Sequence, residues 1–155
     1  MDILLTAIVT WLSVNLGLPA LYEHPRIAFV SPQQMHAVRY RALAAGGGPR
    51  ASLRPGSTIQ AEQLPELEAI YDDQTRTIYL EEDWSGKTPA ELSVLVHEMV
   101  HHLQHAADLK YACAAEREKA AYAAQRRWLA LYGLDLEDEF KLDPMTLLVR
   151  TNCLY

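Results

Sequence analysis

Between Thr88 and His105 the chain reads T-P-A-E-L-S-V-L-V-H-E-M-V-H-H-L-Q-H, which leaves little choice about its shape. Thr88 is a helix-capping residue, Pro89 suits the first helical position, and Glu91 completes a capping box. Leu92, Leu95, Val96, Met99, Val100 and Leu103 recur at helical spacing, and no Gly or Pro interrupts the run until well past His105. The stretch is therefore a long amphipathic helix. Inside it, His97, Glu98 and His101 form an H-E-x-x-H motif. Histidines four residues apart lie one turn apart on one helix face, so their rings can take two corners of a zinc tetrahedron. Glu98 points about 100° round the helix from His97. There it can reach a metal-bound water and act as general base. His101 and His105 are also four apart, but only the pair His97/His101 has a glutamate placed to serve as base.

A hydrolytic zinc site takes three protein ligands and leaves one position to water. The extended pattern H-E-x-x-H-x-x-G-x-x-H fails here, because Gln104 stands at the Gly and Ala107 at the final His. The third ligand is then sought in Glu116-Arg117-Glu118-Lys119-Ala120-Ala121-Tyr122 on the next helix. Glu118, Ala121, Tyr122 and Gln125 share one face, and the small Ala121 lets two helices approach closely. Glu118 is the first choice and Glu116 the alternative. Tyr122, Gln125 and Asp108 are candidates for supporting the ligands or for a donor to the developing oxyanion. Gln104 and Glu116 could equally orient an imidazole, and His102, His105, Tyr111 and Arg117 are further donors to consider.

The rest of the chain reads as helix over 3–16, a strand over 26–30, and a helix opened by Ser31-Pro32-Gln33-Gln34 and closed by Gly46-Gly47-Gly48-Pro49. Residues 46–66, rich in Gly, Pro, Ser and Arg, read as a loop. Leu67–Tyr71 and Arg76–Leu80 alternate about a turn at 72–75, as a β-hairpin does. Ala114–Tyr132 reads as a second long helix stopped by Gly133, and Asp143-Pro144 as a turn.

At 155 residues the chain suits one domain spanning 1–155. A net charge of −6 with no basic stripe argues against a nucleic-acid partner. The first 22 residues carry only Asp2 as a charge. They lack a positive start and are broken by Thr6, Thr10, Ser13 and Asn15, so they read as a mostly buried helix rather than a leader or a stable membrane span. Cys113 and Cys153 would pin the tail behind the motif helix if bonded; two buried thiols are the equal alternative. A periplasmic or secreted location is slightly favoured over a cytoplasmic one.

H-E-M-V-H (His97–His101) followed by E-K-A-A-Y (Glu118–Tyr122) resembles the gluzincin metallopeptidases, whose third ligand is a Glu in an E-x-x-A pattern on a following helix. The order of elements is similar to the smallest members, the minigluzincins. H-E-x-x-H-H-L-Q with a Cys before the glutamate helix also resembles uncharacterised bacterial zincin-like proteins. The resemblance covers residues 67–132 best. It implies an α+β, zincin-like fold: a small, mostly antiparallel sheet of about three strands packed on the motif helix, followed by the glutamate helix. It further implies one Zn2+ per chain on His97, His101 and Glu118, Glu98 as base, and a peptide or protein substrate. That peptide would be bound antiparallel along the last strand before the motif helix, here Thr77, Ile78, Tyr79 and Leu80. A peptide deformylase is disfavoured because its Cys ligand precedes the motif helix. A zinc-bearing scaffold without catalysis is disfavoured because Glu98 is needed for water activation and not for holding the metal.

Overall fold

The structure is a computed structural model and describes residues 1–45 and 69–153. Its elements follow in the order α1 (Asp2–Leu16), β1 (Arg26–Val30), α2 (Pro32–Ala45), β2 (Ala69–Asp72), β3 (Thr77–Glu81), α3 (Pro89–Ala106), α4 (Ala114–Ala130), α5 (Leu136–Glu139) and α6 (Pro144–Thr151). This is an α+β arrangement with helices packed on a three-stranded sheet. The loop expected over 46–66, and the first two residues of the expected hairpin, lie outside the described residues.

The motif helix α3 forms for the reasons its sequence carries. Thr88 accepts from the Glu91 amide, Glu91 accepts from the Thr88 amide, and Pro89 opens the first turn. The loop before it is closed by Trp84, whose indole donates to the Glu91 carbonyl. Gly86 lies against that ring at φ 65°, where a β-carbon would come within 2.6 Å of it. From Ser93 to Gln104 every residue of α3 is buried. Leu95, Val96, Met99, Val100 and Leu103 join Leu5, Ile8, Val9 and Leu12 of α1, Ile78 and Leu80 of β3, and Ala121 and Ala124 of α4 in one core. A helix buried on all sides must also satisfy its polar residues inside the protein, and this draws in the partners described below. The uncharged N-terminal stretch is α1, with one face in this core and Arg127 of α4 donating to the Asn15 carbonyl at 2.8 Å.

The sheet departs from expectation in two respects. Its order is β1-β3-β2, with β1 parallel to β3 (Arg26 opposite Thr77) and β2 antiparallel to it (Tyr71 opposite Ile78). It is therefore mixed, not mostly antiparallel. The last strand before the motif helix is central, not an edge. β1 occupies the side that a guest peptide would need, and Thr77, Ile78 and Leu80 are buried. Thr77, Ile78, Tyr79 and Leu80 thus lie on the central strand, and among the described residues β1 and β2 are the outer strands.

Behind α4, a smaller cluster joins Leu129, Leu136 and Leu147 and holds α6. Asp143-Pro144, read as a turn, is a helix start: Asp143 accepts from the Met145 and Thr146 amides and Pro144 fills the first position. Cys113, at the N-terminus of α4, is disulfide-bonded to Cys153 just past α6. Among the described residues, no helix is long and apolar enough to cross a membrane.

Candidate metal centre

One turn of α3 separates His97 from His101, and α4 crosses beside them with Ala121 and Ala124 at the contact. Those small residues let the helices close up, which brings Glu118 onto both rings. His97 Nε2 lies 3.2 Å from Glu118 Oε2, and His101 Nε2 lies 3.2 Å from Glu118 Oε1. Ligand atoms of the three residues fall within 4.8 Å of one another, and the group could hold a metal ion. The histidines are buried, whereas the Glu118 side chain is 36% exposed and forms the opening to solvent.

The other ring nitrogens are committed. His97 Nδ1 donates to Gln125 Oε1 at 3.0 Å, Gln125 Nε2 donates to Ser93 Oγ, and Ser93 Oγ donates to the Ala90 carbonyl. His101 Nδ1 donates to Gln104 Oε1 at 3.0 Å, and Gln104 Nε2 donates to the Arg117 carbonyl. A glutamine amide whose N–H is engaged elsewhere offers only its oxygen, so both rings carry a proton on Nδ1 and turn their Nε2 atoms to the same point. Burial opposes a charge on His101, but the hydrogen bond and charge of Glu118, helped by Glu98 and Gln104, raise its proton affinity above the ordinary imidazole value. Burial likewise opposes a charge on Glu118, and the bonds from His101 and His97 overcome it, holding the carboxyl well below its usual range. The three side chains thus stabilise a positive charge between them.

Glu98 is buried beside this group, and its Oε2 accepts from the Tyr71 backbone N–H at 2.8 Å. That N–H points away from β3, as alternate residues of an antiparallel strand do, so the outer edge of β2 faces the general-base candidate. The Tyr71 phenol reaches back to α3. It donates to His102 Nδ1 (3.2 Å) and accepts from His105 Nδ1 (3.1 Å), while His102 Nε2 donates to the Glu23 carbonyl at 2.6 Å. Burial, then the Asp73 charge, push this phenol up to about 12, so it remains a neutral donor.

The remaining candidates divide. Gln125 touches His97. Tyr122 packs its ring edge-on to His97, with centroids 4.7 Å apart, and its hydroxyl accepts from Arg150. Asp108 reaches neither imidazole: it is exposed and paired with Lys110, because the chain turns outward there at a positive φ of 51°. Glu116 caps its own helix by accepting from the Ala112 amide, and so is not the third member. His105 is turned to Tyr71, away from His101, so the second histidine pair does not form a site. Arg117 is paired with Asp73, and with Tyr111 it lines a small cleft outside the centre. Tyr71, Ser93 and Arg150 were not foreseen. Ser93 lies one turn before His97 and could have been found by spacing, whereas Tyr71 and Arg150 arrive through tertiary packing.

No curated protein and no solved structure matches the chain. Residues 1–154 match the family described as a domain of unknown function, DUF6647, and the chain belongs to that family.

Proposed function

We propose that this protein is a zinc-dependent peptidase of the gluzincin type. The observation that carries the reading is the convergence of His97 Nε2, His101 Nε2 and the Glu118 carboxylate, with both Nδ1 atoms tied back by glutamines. Ligand bonds of about 2.0–2.1 Å at tetrahedral angles separate ligand atoms by about 3.3–3.4 Å, close to the 3.2 Å found between each Nε2 and Glu118. Two imidazoles and one carboxylate are also a donor set that zinc takes in hydrolases. When bound, zinc supplies a Lewis acid for water and for the scissile carbonyl.

The chain's own residues do the rest. Glu98 takes the proton of the attacking water and passes it to the leaving amine. The Tyr71 N–H donates to Glu98 Oε2 and so holds the carboxylate in place. Gln104 and Gln125 keep the rings in the tautomer that leaves Nε2 bare. An extended peptide would align with the outer edge of β2, not with β3, because β3 is central and, among the described residues, the β2 edge faces Glu98. The disulfide suits an oxidising compartment, the periplasm or cell exterior.

Elemental analysis together with cleavage of a quenched peptide library tests this. Wild type should hold one zinc per chain, Glu118→Ala should lose it and Glu116→Ala should keep it. Glu98→Ala should keep zinc and lose cleavage. Zinc without cleavage in the wild type would instead favour a metal-bearing scaffold, and no zinc would overturn both.

A further inference from the structure

We propose that Arg150 is a positioning residue for the metal centre, acting through Tyr122, and that the Cys113–Cys153 disulfide keeps it in place. The proposal deepens the peptidase reading and depends on it only for a kinetic readout.

His97 is held on three sides: Gln125 at Nδ1, Glu118 at Nε2, and the Tyr122 ring edge-on at 4.7 Å between centroids, with the planes at 80°. The first two are fixed by further contacts of their own. The third is fixed at its far end, where Arg150 Nη1 donates to the Tyr122 oxygen at 3.0 Å. Among the described residues Arg150 is the only hydrogen-bond partner of that phenol, and it has no carboxylate partner. A guanidinium donates and cannot accept, so the phenol oxygen is the acceptor that anchors the ring.

Arg150 is not placed there for charge pairing. Arg39 of α2 lies near enough that its guanidinium is lowered, first by burial and then by the charge of Arg150. The Arg39 charge repels Arg150 and does not anchor it. Its carrier α6 has eight residues and buries only Leu147, while Met145, Leu148 and Val149 are exposed. So short a helix does not hold its own register. Beyond the Leu147 contact the restraint is covalent: Cys153 lies two residues past α6, and Cys113 caps the helix that carries Glu118 and Tyr122. The clamp therefore ties the guanidinium to the helix it serves.

The test uses Arg150→Met, Arg150→Lys and the double variant Cys113→Ser/Cys153→Ser in the full chain. It measures peptide turnover and the histidine side-chain NMR resonances of the zinc-loaded and ion-free protein. Arg150→Met should retain zinc stoichiometry, lower kcat about 10- to 100-fold with KM within about twofold, and move the His97 ring resonances. Arg150→Lys should recover part of both. The disulfide variant should move the same resonances, and adding Arg150→Met to it should cause little further loss. Unmoved His97 resonances in Arg150→Met, or losses that multiply in full, would overturn the proposal. If wild type holds zinc but cleaves nothing, the peptidase reading fails, and the His97 resonances alone decide the role of Arg150.

Discussion

Two glutamines decide how firmly the histidines are aimed. Gln125 and Gln104 each turn an oxygen to an Nδ1 and anchor their amide nitrogens on Ser93 and on the Arg117 carbonyl. Replacing either by Leu keeps the volume and frees the ring to flip, so metal affinity in a chelator competition should fall about 10- to 100-fold. Asp108→Ala, at the exposed turn, should leave it unchanged. His97, Glu98 and His101 could be read from sequence because their geometry is local: one helix sets all three directions. Glu118 and Gln125 were readable because they share one stripe with Ala121, where α4 must touch α3. Tyr71 was not, since its N–H reaches Glu98 across a separation of 27 residues and only the placement of β2 brings them together. Nothing in local spacing encodes that.

At the scale of elements, the start of α3 hangs on Glu91. Its carboxylate accepts from the Ser85, Lys87 and Thr88 amides and from the Ser85 and Thr88 hydroxyls. Partial burial would raise its titration point, but these donors from Ser85 and Thr88 outweigh it and lower the carboxyl from 4.5 to about 2. A depressed folded-state value stabilises the fold fully above the unfolded value and loses that contribution as pH falls. Here the window runs from about pH 4.5 down to about pH 2. Glu91→Ala should cost about 2 kcal/mol at neutral pH, and its stability should decline less steeply than wild type through that window in acid titrations followed by circular dichroism. The capping box was legible because it lies within four consecutive residues. The strand order was not: two alternating runs with a turn between them specify the β2–β3 hairpin but not whether a third strand joins, or on which side. β1 adds to the outer side of β3 in parallel, a pairing that no turn chemistry announces, and it makes β3 the central strand.

Across the whole molecule, the disulfide closes a covalent loop with a sequence separation of 40. Loop-closure entropy for such a span is about 4 kcal/mol, so Cys113→Ser/Cys153→Ser should melt about 10 °C lower than wild type by calorimetry. The sheet order bears on how the chain is made. The partner of Arg26 is Thr77, and synthesis runs at about 5–20 residues per second. For seconds on the ribosome, β1 therefore exists without the strand it pairs with, its Phe29 and Val30 unmatched. The helix with both histidines emerges later still, and its third partner after that. The group that could hold an ion is therefore incomplete until Glu118 has emerged, so a product stalled before it carries the two histidines without their third partner.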